Sequence, residues 1–312
     1  MKLSVDGILN IDKPAGKTSL EIVNLVRRLS GQRRVGHAGT LDPGATGVLP
    51  LCLGQATRII PFLLDAPKTY QAEIELGIST DTYDADGHVT QRVDPSFVTK
   101  EQVEGVLPSF RGSILQKPPM YSAVKHQGRR LYDLARAGIE VERKSRTAEI
   151  FRLEIINWHP PLFTIEVECG KGTYIRSVVH DLGQSLGCGS YLRKLVRLRS
   201  GLFNIDDSIT LSQLEDSFGH GYWQDLLYPM DVVLEHWIAA IVGKEKEQAI
   251  RNGRALALGE EEGRDRAHCR AYSLDGRFLA VLRFLPEKGL WQPEKVFSGD
   301  QNRSKILDIL AR

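Results

Sequence analysis

Residues 36–47 read GHAGTLDPGATG, and near their centre Asp42 is a single carboxylate among four glycines, two threonines, a histidine and a proline. Pro43 drives Asp42 away from helical geometry and stiffens the loop at that point. Gly36, Gly39, Gly44 and Gly47 permit tight turns and the close approach of a bulky ligand to the backbone. By local statistics alone, an aspartate before Pro-Gly is a turn former rather than a catalyst. Two other side chains can do chemistry. Tyr70 opens an alternating segment and carries a hydroxyl that could accept a proton. Arg176 lies early in TYIRSVVHDL, where the helix dipole disfavours a positive charge.

Three tempting motifs fail. PAGKTS has the tail of a phosphate-binding loop, but its first glycine position is Ile11. TYDADG has the look of a calcium loop, yet Thr82 and Val93 stand where a carboxylate and a glutamate are required. GHAG matches a four-residue RNA-binding pattern that is too common to carry weight. No nucleotide, metal or other cofactor is implied.

The elements that must position these residues are legible. GILNIDK (7–13) has the pattern of a short buried strand. TSLEIVNLVRRLSG has that of a helix, with Thr18 and Glu21 at capping-box spacing and Gly31 at its end. KTYQAEIELG alternates as a half-buried strand, as do TAEIFRLEIINWH and LFTIEVECG. A helix is expected at 99–107 from a Thr99–Gln102 box, and another at about 173–186. Strands and helices mix without a strict βαβ rhythm, so the fold class is α+β. The first domain ends near Pro229. Beyond it a β-rich unit follows, with Asp275-Gly276 as a hairpin turn.

The chain of 312 residues has 42% hydrophobic and 26% charged residues, a globular composition. No apolar run approaches the roughly 20 residues of a membrane helix, and no export signal is expected. Cys52, Cys169, Cys188 and Cys269 lie far apart, which predicts neither a zinc site nor disulfides, and a cytoplasmic location. The net charge is only +2, but basic residues cluster. Arg27, Arg28, Arg33 and Arg34 form one group, and Arg193, Lys194, Arg197 and Arg199 another. The span 117–146 holds eight Lys or Arg against three acids. Singly, each cluster predicts a solvated face; together they suggest an anionic polymer as partner.

Five blocks, in order, resemble the TruB family of tRNA pseudouridine-55 synthases. They are GILNIDKPAGKTS, RVGHAGTLDPGATGVLPLCLGQATR, KTYQAEIELGISTDTYDADG, PPMYSAVKHQGRRLYDLARAGIEVER and CGKGTYIRSVVHDLGQSLGCG. The resemblance implies a mixed, largely antiparallel central sheet flanked by helices over residues 1–232, with an RNA-contacting insertion at about 111–146. A small PUA-like β-rich domain over 233–312 is implied more loosely. It also implies an isomerase that needs no cofactor and flips the T-loop uridine at position 55 out of tRNA. The glycosidic bond is then broken and the base rejoined through carbon.

By the same resemblance Asp42 is the catalytic carboxylate, held ionised in a closed pocket by Arg176, with Asp84 sharing the ion pair. Tyr70 stacks on uracil and takes the proton from the base carbon. His37 fills the space that the flipped base leaves. Tyr174 and Leu195 line the pocket, Leu195 and Arg197 being aligned by their spacing from Arg176. Lys13 and Pro14 support the site, and Arg129 and Arg130 contact RNA. The expected partner is the tRNA T-arm, bound by a monomer without an obligatory protein partner or a membrane. A tRNA-binding or folding module with dispensable catalysis is the alternative, and the joint presence of Asp42, Tyr70 and Arg176 argues against it.

Overall fold

A computed structural model describes residues 5–122, 124–258 and 267–298. Strand β1 (Gly7–Lys13) leads into helix α1 (Ser19–Ser30), then β2 (Val35–His37) and β3 (Thr46–Leu53). Helix α2 (Ile60–Asp65) precedes β4 (Lys68–Leu76), β5 (Ile78–Thr80) and β6 (Val89–Arg92). Helix α3 (Lys100–Val106), β7 (Gly112–Gln116), the hairpin β8 (Lys125–His126) and β9 (Arg129–Arg130), and α4 (Leu131–Arg136) follow. Next come β10 (Arg146–His159), β11 (Leu162–Cys169), α5 (Ile175–Ser185), β12 (Ser190–Ser200), β13 (Phe203–Asn204) and α6 (Leu211–His220). The last part holds β14 (Ile238–Val242), α7 (Lys244–Arg251), β15 (His268–Ser273), β16 (Phe278–Leu285) and β17 (Leu290–Val296).

The main sheet runs β1-β3-β12-β4-β11-β10-β7, with β2 on β3 and β13 on β12. Its pairings are antiparallel except β3–β12, which is parallel and short. The local codes explain the helices on it. Thr18 accepts from the Glu21 amide while Glu21 reaches back to the Thr18 backbone, and Gly31 ends α1 in the left-handed region. Thr99 and Gln102 start α3 in the same way.

Two apolar cores lie against this sheet. Under α5 and α3, Ile175, Val178, Val179 and Val103 meet Ala72, Ile74, Ile165 and Val167. Under α1, Ile22, Val23 and Val26 meet Leu9, Ile11, Leu49 and Leu51. Tyr70 and Leu195 pack against both cores and so mark the seam between them. The other face of β4, β11 and β12 carries ion pairs: Arg193 with Glu73 at 3.4 Å, Arg199 with Glu168 at 2.5 Å, and Arg152 with Glu166.

That arrangement corrects the expectation for the basic run at 193–199. The segment is a strand, not a solvated helix face. Arg193 and Lys194 share the one carboxylate of Glu73, Arg199 pairs with Glu168, and Arg197 points inward and is 1% exposed. Arg197 is therefore withdrawn from whatever basic surface this run presents.

The second sheet, β14-β15-β16-β17, starts at Ile238. Its Tyr272, Phe278 and Val281 share an apolar cluster with Ile8, Val48 and Cys52 of the main sheet. Asp275-Gly276 makes the β15–β16 turn, with Gly276 at φ 80°. Residues 259–266 and 299–312 of the expected C-terminal domain, and Ala123 of the insertion, lie outside the described residues.

The β3–β12 contact is unusually close at Gly47, which sits at φ 100°. A Cβ there would collide with the Arg197 backbone carbonyl. Gly47→Ala is therefore expected to destabilise the protein by roughly 2–4 kcal/mol through strain and strand separation. Thermal or urea denaturation reads this, and a loss under about 0.5 kcal/mol would show that the two strands can part at little cost.

Candidate active site

The aspartate loop is tied down on both sides of Asp42. Ser19, at the start of α1, accepts from the Leu41 amide at 2.9 Å and donates to the Leu41 carbonyl at 3.1 Å. On the other side, the Lys13 ammonium donates to the carbonyls of Pro43, Pro14 and Lys17 at 3.2, 2.9 and 2.7 Å. The Gly16 amide donates to the Pro43 carbonyl as well, at 2.9 Å, and Ala45 closes the turn onto the Asp42 carbonyl at 3.1 Å. The KPAGKTS segment, which fails as a phosphate loop, is thus the anchor of the aspartate loop.

Arg176 is the second residue of α5, and it is buried, 5% exposed. One guanidinium nitrogen lies 2.9 Å from Asp42 Oδ2 and donates to the Tyr121 carbonyl at 2.8 Å. The other lies 3.1 Å from Asp84 Oδ2 and donates to the Thr82 carbonyl at 3.3 Å. One arginine therefore bridges two carboxylates and ties α5, the 82–84 turn and the insertion together. The two carboxylates offset the unfavourable position of this cation near the start of a helix.

Asp84 is itself braced, accepting from the Thr82 hydroxyl at 2.5 Å and the Asp86 amide at 3.2 Å. Burial pushes its carboxyl up, while the Thr82 hydrogen bond and Arg176 pull it down. Between them Tyr83 holds φ 67°, a left-handed conformation rare for a bulky residue. Its ring stacks on His180 of α5, with centroids 3.8 Å apart.

The Asp42 side chain is 44% exposed. The expectation of a closed pocket is corrected: Arg176 holds the carboxylate from below, and its other side faces an open surface. Burial is borne by Arg176 and Asp84, because the Gly- and Pro-rich turn lifts Asp42 above the apolar cores.

Tyr70 and Arg197 lie directly opposite each other on β4 and β12. Burial pushes the Tyr70 hydroxyl up, and the Arg197 guanidinium opposes this. Arg197 donates to the Val48 carbonyl at 2.6 Å and the Gly39 carbonyl at 3.1 Å, on either side of the aspartate turn. His37 ends β2, half-buried, with Nδ1 buried and without a partner; burial and Arg197 pull its pKa down, favouring neutral imidazole. Leu195 pairs with Ala72 beside Tyr70. Tyr174 caps α5, its backbone held by Gln116 at 2.7 and 2.9 Å. Burial pushes its hydroxyl up.

The structure thus joins Asp42, Arg176 and Asp84 in one ion-pair network. Lys13 braces the loop, and Tyr70 and Leu195 lie on the adjoining seam. Arg129 and Arg130 lie apart from it on the exposed β8–β9 hairpin. Arg130 and Arg136 flank the Tyr132 ring, each 5.6 Å from its centroid. Ser19, Tyr121 and the buried setting of Arg197 escaped the sequence reading. Only the contact of Ser19 with Leu41 had a signal, the place of Ser19 after a capping threonine. Among the described residues, no group of three or more His, Cys, Asp or Glu could hold a metal, and no helix is long and apolar enough to cross a membrane.

The whole chain superposes on solved structures of one fold. A crystal structure of a Cbf5–Nop10–Gar1 complex matches with TM-score 0.73 and 29% identity over 96% of this chain and 87% of that chain. An H/ACA ribonucleoprotein bound to a substrate RNA containing 2′-deoxyuridine matches at 0.71 and 25%, over 96% and 87%. The model of the TruB-family pseudouridylate synthase N-terminal domain matches residues 27–175. The model of the tRNA pseudouridylate synthase B C-terminal domain matches residues 176–235. Fold and sequence together define a pseudouridine synthase, an intramolecular isomerase.

Curated relatives narrow this further. A tRNA pseudouridine synthase B of Dehalococcoides mccartyi is 46% identical over 94% of this chain and 97% of its own length. One of Heliobacterium modesticaldum is 41% identical over 97% and 99%. The chain belongs to the TruB family.

Lys13 supplies a test of the loop anchor. It is 0% exposed, and burial lowers its pKa from 10.5 to about 8, with Asp42 opposing. Between those values the unfolded chain binds more protons at this site, so its contribution to stability rises with pH. Lys13→Met should be less stable than wild type, and its deficit should widen by on the order of 2 kcal/mol between about pH 8 and pH 10. Denaturant melts at the two pH values check this; a deficit that narrows with pH would mean that Lys13 is not a strained, buried cation.

Proposed function

We propose that this enzyme converts the uridine at position 55 in the T-loop of tRNA to pseudouridine, and that it does so without a protein partner. The observation that carries the site reading is the bridge from Arg176 to Asp42 and Asp84, with Asp42 left half-open to solvent. The tRNA substrate is supported by the names of the curated relatives, which the chain matches over nearly its whole length. The basic insertion, with Arg129 and Arg130 exposed and Arg136 beside Tyr132, supplies RNA contacts from within the chain itself. The neighbours in the Cbf5 complexes are, by contrast, assembled with Nop10 and Gar1.

The target base leaves its stack at a cost of a few kcal/mol and enters the open face above Asp42. His37, near-neutral and at the rim, takes the vacated place. Asp42 acts at the ribose, and the C–N glycosidic bond breaks. The base turns and rejoins through carbon, so no atom is gained or lost and no co-reactant is consumed. Arg176 pairs with the carboxylate and aims it, a geometry that suits its planar two-pronged group. Tyr70 stacks on the uracil, and its hydroxyl oxygen takes the proton from the base carbon. Leu195 and Tyr174 bound the base on the remaining sides, and Lys13 and Pro14 hold the loop.

Incubation with an unmodified tRNA transcript, followed by pseudouridine mapping, tests this directly. Wild type should modify position 55. Asp42→Asn should give no product while its tRNA affinity stays within a few-fold of wild type. Product at another position, or substantial turnover by the mutant, would contradict the reading.

The docking surface has its own readout. Replacing Arg129, Arg130 and Arg136 with alanine should weaken tRNA binding and flatten its salt dependence. The log–log slope should fall by about 0.7–0.9 for each lost phosphate contact. An unchanged slope would place the RNA elsewhere on the protein.

A further inference from the structure

Arg197 heads the largest side chains that are fully buried, at 1% exposure. Among the described residues no carboxylate lies within ion-pairing distance of it. Its hydrogen bonds to the Val48 and Gly39 carbonyls satisfy two donors but leave its charge uncompensated. Burying an unpaired ion costs several kcal/mol. The surroundings make matters worse, since the cationic or protonatable groups Lys13, Lys68 and His37 all feel its field. A fold that keeps such a charge has a use for an anion beside it.

Few groups can supply that anion. From β4, the Tyr70 hydroxyl faces Arg197 directly across the strand pair. From β11, the Cys169 thiol is nearby, but burial pushes it up to about 11. From the loop, Asp42 acts on Tyr70 and opposes its ionisation, and it is already paired with Arg176. Tyr70 is the group placed to become charged during a reaction.

We propose that Arg197 is a positioning residue for the isomerisation, which orients the Tyr70 hydroxyl and stabilises the phenolate formed when Tyr70 acts as a base. The inference rests on the reading of Tyr70 as proton acceptor. Tyr70 first loses its own proton to water. The base carbon then gives its proton to the phenolate oxygen, and the C–H electron pair restores the ring double bond. The ring nitrogen freed by glycosidic cleavage takes a proton from water, so charge and atoms balance over the cycle. Burial alone would hold the Tyr70 proton too tightly, and Arg197 is the chief influence against it.

The test uses Tyr70→Phe, Arg197→Met and Arg197→Lys, assayed in single turnover at saturating tRNA. The substrate carries hydrogen or deuterium on the base carbon. In Arg197→Met the rate should fall by roughly 10-fold or more. Its alkaline-rising limb should move to higher pH, and a deuterium isotope effect should appear or grow, because proton removal now limits. Arg197→Lys keeps the charge without the two-pronged geometry and should recover part of the rate and of the pH shift. A loss uniform across pH, with no isotope effect, in the Met variant overturns the proposal and leaves Arg197 as structural. If the Met variant does not fold, the same outcome in the Lys variant overturns it. Wild-type speed in Tyr70→Phe is a different result: it removes Tyr70 as the base.

Discussion

Arg176, buried to 5% exposure, lies between two anions, Asp42 and Asp84, on separate segments. Each carboxylate also depends on the arginine. Without it, two like charges would share one small region, and the buried Asp84 would tend to hold a proton. Mutual dependence of this kind makes the bridge a geometric constraint as well as an energetic one. Arg176 can reach both only if α5, the 82–84 turn and the aspartate loop hold fixed relative positions. The Thr82 brace on Asp84, the Tyr83–His180 stack and the Ser19 and Lys13 anchors all serve that fixation.

The sheet supplies the platform. Its inner side splits into two cores, and the seam between them runs along β4 and β12, where Tyr70, Leu195 and Arg197 line up. The outer side of β4, β10, β11 and β12 carries ion pairs between strands, each partly exposed and contributing little by itself, whereas that of β1 and β3 packs against the second sheet. The same strand therefore sends Arg193 and Arg199 to carboxylates at the surface and Arg197 into the interior. Interior cations held by backbone carbonyls, as Lys13 and Arg197 are, fasten loops without consuming the one carboxylate that the chemistry needs.

Much of this was legible in the sequence because it is encoded locally. The Thr18–Glu21 and Thr99–Gln102 boxes, the alternation of β4 and β11 and the Asp275-Gly276 turn are decided by residues a few positions apart. The pairing of Asp42 with Arg176 followed from the family resemblance, since nothing local links residues 134 positions apart. Two features were misjudged for the same reason. The run SYLRKLVRLRS looks uniformly basic, and only its strand neighbours separate the inward Arg197 from its outward companions. The openness of Asp42 depends on how far the turn projects above the cores, which the glycines and proline permit but do not specify.

The bridge itself is tested most directly by the pH dependence of single-turnover modification in Arg176→Met against wild type, with tRNA binding checked separately. If Arg176 holds Asp42 and Asp84 in place, the variant should fold, bind tRNA and react slowly. Its rate should rise with pH across a range where wild type is flat, because burial raises the Asp84 carboxyl once the Arg176 charge that opposes it is gone. Parallel profiles for the two proteins, or a methionine variant as fast as wild type, would contradict the role of the bridge.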